Sequence, residues 1–312
     1  MENKKMTVIG AGTMGRGIAQ LLSQNHASVH IVEQNRSALE GTKQRISELF
    51  ESASSYGLIS ESEIDEALGR ITISDNLEDA KHSWLVIEAI PENLALKQSL
   101  FQSLEEICAS DTIFATNTSG LSINQISEPL KRRERFIGTH FFMPADIIPL
   151  VEIIRGEETS DEVCRQVMKF FKDIHKEPVL IRKDIPGFIG NRIQHAMARE
   201  AISLLEAGIA TAEEIDTVVR WSLGVRLLFT GPLEQRDLNG LDVHHHIASY
   251  LYKDLENRTE PSELLSEKVQ KGELGIKSGK GFYDWDQESQ ADVLQKKNGQ
   301  LLPLMKWLRQ QG

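Results

Sequence analysis

Cysteine is scarce. The two thiols, Cys108 and Cys164, stand alone in stretches patterned as amphipathic helices, with no CxxC pair and no Cys/His cluster at metal-ligand spacing. This excludes a disulfide-stapled scaffold and a zinc module, and it suits reduced structural thiols in a protein expected to be cytoplasmic. Long apolar runs are missing as well. None approaches the roughly 18 residues that span a bilayer, and Met1-Glu2-Asn3-Lys4-Lys5 passes directly into a strand-like run, so neither a signal peptide nor a membrane anchor is expected. Positive charge is in deficit: 35 Lys and Arg against 46 Asp and Glu leave a formal net charge of -11. Nucleic acid and anionic lipid are therefore poor partners, and an anionic ligand needs a locally built site.

Low-complexity tracts and internal repeats are also absent. The chain of 312 residues, 40% hydrophobic and 26% charged, has the composition of a globular protein and is long enough for two domains. From Met6 to Lys183, short β-rich runs (Met6 to Ile9, Val29 to Val32, Trp84 to Ile87, Thr112 to Ala115, Arg135 to Gly138, Leu150 to Ile154, Val179 to Ile181) alternate with stretches of helical spacing. Leu96, Leu100, Leu104, Ile107 and Cys108 mark one such stretch, and Val163, Val167, Phe170, Phe171 and Ile174 mark another. Alternation of this kind predicts an α/β domain whose mostly parallel, doubly wound sheet is covered by helices. After Asp184-Ile185-Pro186-Gly187 the strand-like runs give way to long helical periodicity beginning at Phe188, Ile189, Ile193, Met197 and Leu204. The expected domains are therefore residues 1–184 and an all-helical part, residues 185–312.

Directly after the first β-rich run comes Gly10-Ala11-Gly12-Thr13-Met14-Gly15, and a helical stretch follows it. A GxGxxG spacing alone is weak, but between a strand and a helix it is the dinucleotide-binding fingerprint of a Rossmann-type domain. Gly10 permits the tight turn, Gly12 lets backbone amides approach a pyrophosphate, and Gly15 lets the helix pack on the strand. The amides at Thr13 and Met14 open a helix whose N-terminus attracts phosphate. Glu33 ends the second run, where a carboxylate bonds the adenosine ribose and repels a 2′-phosphate. NAD is expected over NADP, with Arg36 nearby as the feature that favours the alternative.

Further on stand Glu92-Asn93, Asn117-Thr118-Ser119, Gly138-Thr139-His140-Phe141-Phe142, Pro149-Leu150-Val151-Glu152, Pro186-Gly187-Phe188-Ile189-Gly190-Asn191-Arg192 and Gly279-Lys280-Gly281-Phe282-Tyr283. In this order, from residue 6 to residue 285, the chain resembles the L-3-hydroxyacyl-CoA dehydrogenase family. From the residues themselves, oxidising a secondary alcohol requires a base for the hydroxyl proton, and His140 is suited to it near neutral pH. Glu152, expected on the next strand, can accept from the far imidazole nitrogen. An isolated strand histidine would more often be a core residue; the conjunction of motifs reverses that. The resemblance implies that His140 and Glu152 are the catalytic pair, that Ser119 and Asn191 contact substrate, that Glu92, Lys97 and Lys277 contact NAD, and that the helical part carries the substrate cleft and forms a homodimer. Lys97 can equally be read as a solvated helix charge. The implied activity is NAD-dependent oxidation of an L-3-hydroxyacyl-CoA such as 3-hydroxybutyryl-CoA, and the reverse, within fatty acid metabolism.

Two departures open an alternative. Met143-Pro144 follows His-Phe-Phe where the family has Asn-Pro, and residues 46–69, the arm that in coenzyme-A users supplies basic contacts, carry Glu48, Glu51, Glu61, Glu63, Asp65 and Glu66 with no Lys or Arg. The arm still offers Ser52, Ser54, Ser55 and Tyr56 as hydroxyl donors to phosphate. Such an arm suits a small non-CoA 3-hydroxy acid, as in relatives resembling gulonate or carnitine dehydrogenases; an inactive crystallin-like NAD-binding protein is a third reading. His244-His245-His246 has no completing ligand cluster and cannot face one point from one helix, so no metal is expected. If Glu33 reads the ribose, NAD(H) exceeds NADP(H) at least tenfold in catalytic efficiency, about 1.4 kcal/mol, and Glu33→Ala narrows the gap. Steady-state kinetics with both cofactors check this, and equal efficiencies would contradict it.

Overall fold

The computed structural model describes residues 4–55, 57, 59–285 and 289–311. They form two compact units: one runs to Asn191 and regains the chain from Gly299, and the other is Arg192–Asn298.

Eight strands build one sheet in the first unit: β1 (Lys5–Ile9), β2 (Ser28–Val32), β3 (Ile71–Ser74), β4 (Leu85–Glu88), β5 (Ile113–Thr116), β6 (Phe136–Phe141), β7 (Leu150–Ile154) and β8 (Glu177–Ile181). Their order is β3-β2-β1-β4-β5-β6-β7-β8. Neighbours are parallel throughout except β6 and β7, which are antiparallel. Strand order reverses direction between β1 and β4, the place where ligands gather at the carboxyl ends of such sheets. β3 was not expected from the sequence. Its four residues, Ile71-Thr72-Ile73-Ser74, closely follow the acidic helix that stops at Gly69, and pairing with β2 rather than their own length makes them a strand.

Burial on both faces explains why β4 and β5 read as unbroken apolar runs. On one face lie the first helix, Thr13–Gln24, burying Ile18, Ala19, Leu21 and Leu22, and Asp161–Asp173, burying Val163, Val167, Phe170 and Phe171. On the other lies Leu94–Ile107, whose Phe101 meets Phe136 and Phe114 edge-on at centroid distances of 4.7 and 6.0 Å. Both cysteines are buried and free, and burial pushes the Cys108 thiol up to about 11. The arm, residues 46–69, lies in helices Thr42–Ser55 and Glu61–Gly69, the first of which carries Lys43 and Arg45 ahead of it; the arm buries Ile46, Phe50 and Ala67 in the same core as the first helix and leaves its six acids exposed. Tyr56, read with the arm's hydroxyls, lies outside the described residues.

This division differs from the 184/185 boundary read from the sequence, and the cause is bonding. Residues 184–190 hydrogen-bond to Ser122, Asn124 and Glu152 of the first unit. In the tail helix Gln290–Gln311, Leu302 and Met305 bury against Ile147, in the connector between β6 and β7. In the second unit the helices from Arg192 to Gln270 bury only Gln235 among the described residues, while Trp221, Leu233 and Leu238 are 76%, 81% and 70% exposed. For the first unit, Phe101→Ala removes the ring that joins β5 and β6 to their covering helix and lowers stability by about 3–5 kcal/mol in urea unfolding. A loss below about 1 kcal/mol would mean that this layer repacks freely.

Candidate active site

The glycine loop leaves β1 and enters the first helix with no side chain capping it: the N-cap is Gly12, beside which a Cβ would meet nothing within 4 Å. The helix amides at Thr13 and Met14 therefore open onto free space, as a pyrophosphate cradle requires. Gly10 holds φ +103, and a Cβ on Gly15 would lie 1.9 Å from the Gly10 carbonyl oxygen. The Glu33 carboxylate follows β2 and accepts N–H bonds from Ala11 at 2.8 Å and from Asn35 at 2.8 Å. It is thus fixed beside the loop with lone pairs left for ribose hydroxyls. This donor and acceptor set fits a dinucleotide.

At the end of β4, Lys97 is 1% exposed, so it is not the solvated charge that was one reading of it. Its ammonium lies 2.5 Å from Glu88 Oε1 and 3.3 Å from Glu92 Oε2. Glu88 also accepts from Ile90 N–H at 2.7 Å and Thr116 Oγ1 at 2.6 Å, so the buried pair is fully bonded, as burial demands. Glu92 reaches the opposite loop, taking Thr118 Oγ1–H at 2.5 Å and the N–H groups of Ser119 and Gly120 at 3.0 and 3.3 Å. Burial alone would raise the Glu92 carboxyl; the bonds from Thr118 and Ser119 and the charge of Lys97 outweigh it and hold it below the usual range. Ser119 itself is exposed at the end of this loop, and Asn191 Nδ2 donates to its carbonyl at 2.9 Å.

His140 and Glu152 stand directly opposite each other across the antiparallel β6/β7 pair. Nδ1–H of His140 donates to Glu152 Oε2 at 2.8 Å, which leaves Nε2 with its lone pair. The second carboxylate oxygen accepts from the backbone N–H of Ile189 at 3.0 Å and Gly190 at 2.8 Å, where the helix Gly190–Glu206 begins. Burial would push the Glu152 carboxyl up, yet the His140, Gly190 and Ile189 bonds together lower it. The rings of Phe142 and Phe188 stand 4.7 and 5.6 Å from the imidazole. A Cβ on Gly190 would come within 2.4 Å of the Phe142 ring, so the helix start can approach only as glycine.

The structure thus gathers Ser119, His140, Glu152 and Asn191 around one linker, and the glycine loop with Glu33 around the β1/β2 ends. Lys277 lies exposed in the turn Ile276–Ser278 of the other unit. Asn117, missed by sequence reasoning as a separate feature, accepts Phe141 N–H at 3.0 Å and ties the Ser119 loop to the His140 strand. Its signal was its place in the Asn-Thr-Ser run. Met143 is 61% exposed beside this strand end. Among the described residues no group of three His, Cys, Asp or Glu side chains could hold a metal, and no helix is long and apolar enough to cross a membrane.

The model of the 3-hydroxyacyl-CoA dehydrogenase NAD binding domain matches residues 5–185, and that of the 3-hydroxyacyl-CoA dehydrogenase C-terminal domain matches residues 187–285. The chain is 32% identical over 300 residues to 5-formyl-3-hydroxy-2-methylpyridine 4-carboxylate 5-dehydrogenase of Mesorhizobium japonicum, covering 96% of each chain. It is 35% identical over 283 residues to 3-hydroxybutyryl-CoA dehydrogenase of Clostridioides difficile, covering 90% of this chain and 99% of the relative. The crystal structure of a 5-formyl-3-hydroxy-2-methylpyridine 4-carboxylic acid 5-dehydrogenase, described as an NAD+ dependent dismutase, superposes with TM-score 0.91 at 30% identity over 99% of both chains. That of (S)-3-hydroxybutyryl-CoA dehydrogenase from Ralstonia eutropha gives TM-score 0.76 at 34% identity over 90% of this chain and 99% of that one.

Because the folded Glu152 carboxyl is lowered, its contribution to stability is fully present above the unfolded value, about 4.3, and is lost as pH falls through the folded one. Urea unfolding at pH 6 and at pH 3 therefore shows a stability advantage of wild type over Glu152→Gln that shrinks at the lower pH. An advantage that grows on acidification would contradict the assignment.

Proposed function

The chain belongs to the 3-hydroxyacyl-CoA dehydrogenase family and is an NAD-dependent oxidoreductase, and from that premise we propose that it interconverts an L-3-hydroxyacyl-CoA and the 3-ketoacyl-CoA, with His140 as the general base. The observation that carries the reading is the buried His140–Glu152 bond at 2.8 Å. The glycine loop and Glu33 would hold NAD, which would supply the acceptor for the hydride released in the oxidation step. His140 Nε2 accepts the hydroxyl proton in that step, and Glu152 stabilises the imidazolium and holds the tautomer. Ser119 Oγ and the second N–H of the Asn191 amide donate to the substrate oxygen as it becomes a carbonyl. Glu92 holds the Ser119 loop, and Lys97 pairs with Glu88 and Glu92. Residues 1–184 serve the cofactor, the linker brings Asn191 to the substrate, and the helical part of residues 185–312 forms a homodimer in the cytoplasm. The exposed Trp221, Leu233 and Leu238 support a second copy as their cover.

The exposed acids of the arm support a second reading, a small 3-hydroxy acid without coenzyme A. A polyanionic coenzyme passing Glu48, Glu51 and Glu61 meets charge of its own sign, and similarity to an enzyme whose name specifies a pyridine carboxylate fits that reading. NADH oxidation on acetoacetyl-CoA and on a panel of free 3-keto acids tests both. Acetoacetyl-CoA is turned over, His140→Ala lowers kcat about 10²–10⁴-fold with NADH binding kept, and changing Glu48 and Glu51 to Lys lowers the acetoacetyl-CoA KM. A free acid as the better substrate, with acetoacetyl-CoA kinetics indifferent to the arm, selects the second reading; full activity of His140→Ala contradicts both.

A further inference from the structure

The linker between the sheet and the helix Gly190–Glu206 carries a carboxylate that the mechanism above does not use. Asp184 Oδ2 accepts the Ser122 hydroxyl at 2.6 Å and the Asn124 backbone N–H at 3.0 Å. Ser122 already caps its own short helix, Ile123–Ser127, through Gln125 N–H at 3.2 Å, so the helix start has a local cap and Asp184 adds a long-range tie from a residue 62 positions away. The residues it grips directly follow the bend at 119–121 that begins with Ser119. The Ser119 backbone is held from two other directions, its N–H by Glu92 at 3.0 Å and its carbonyl by Asn191 at 2.9 Å, while its hydroxyl is in no hydrogen bond among the described residues. Asp184 and Asn191 are the two ends of one linker, and between them the Ile189 and Gly190 amides hold Glu152.

We propose that Asp184 is a positioning residue for the reaction: by locking Ser122 and Asn124 to the linker, it sets the Ser119 hydroxyl in register with His140 and Asn191. This rests on the dehydrogenase reading for its kinetic test only. Misplacement of a bonding group by a fraction of an ångström lowers turnover without touching the cofactor, since Asp184 lies on the linker and not in the glycine loop.

The experiment compares full-length wild type, Asp184→Ala, Asp184→Asn, Ser122→Ala and the Asp184→Ala/Ser122→Ala double variant on whichever keto substrate wild type reduces. NADH binding is followed by fluorescence, and amide exchange is mapped by mass spectrometry. Asp184→Ala lowers kcat/KM about tenfold, through kcat, with the NADH Kd unchanged. Asp184→Asn restores most of the loss because its amide oxygen still accepts both bonds, and the double variant loses less than the sum of the singles. Exchange protection falls in residues 117–126 and not across the sheet. Wild-type rates in Asp184→Ala, additive singles, or NADH affinity falling in step with kcat would overturn the proposal. If Asp184→Ala does not fold, Asp184→Asn above Ser122→Ala in activity supports it and the reverse order overturns it. If wild type reduces no substrate, the dehydrogenase reading fails by itself, and exchange decides: unchanged protection at 117–126 in Asp184→Asn and Ser122→Ala alike overturns the positioning role, and lost protection in Ser122→Ala supports it.

Discussion

A buried carboxylate with both oxygens committed organises this protein. Glu152 stands in the sheet interior, where an unpaired charge would cost several kcal/mol, and three donors compensate it: the imidazole of His140 and the amides of Ile189 and Gly190. Those amides come from the start of a helix, whose partial positive charge favours the ionised form. Reaching them demands a sharp bend, and the chain makes it with two consecutive left-handed residues, Gly187 at φ 75 and Phe188 at φ 52. A phenylalanine held there is disfavoured by roughly 1 kcal/mol or more, offset by complete burial of its ring near His140. The antiparallel β6/β7 pair, the bend and the glycine at 190 all serve the same bond.

The cofactor end follows the same physical rule on a second carboxylate. Glu88 and Lys97 neutralise each other inside the protein, and Glu92 extends that network across to the Ser119 loop. Strand ends already paired through their backbones gain side-chain ties as well, β4 to β5 through Thr116 and β5 to β6 through Asn117. Glu33 does the equivalent work at β1 and β2 with two backbone donors. Charged groups here are placed by backbone amides and by each other, with surface ion pairs contributing little.

Features set by local spacing were legible in the sequence: the glycine loop between strand and helix, Glu33 at a strand end, the alternation of layers, and the His140 and Glu152 residues themselves. What escaped depends on pairing across the chain. β3 becomes a strand only beside β2, Lys97 is buried only because Glu88 lies beneath it, and Asp184 and Asn117 act through partners that periodicity cannot reveal. The return of the tail to Ile147 likewise rests on Leu302 and Met305, whose helical spacing shows an apolar face without saying what covers it.

The central claim is that Glu152 dictates which nitrogen of His140 carries the proton. Nitrogen-15 NMR of the imidazole, recorded where the ring is neutral, reads this directly. The geometry predicts the Nδ1–H tautomer with an unprotonated Nε2 in wild type. A dominant Nε2–H tautomer would contradict the account, because the nitrogen assigned as base would already be occupied.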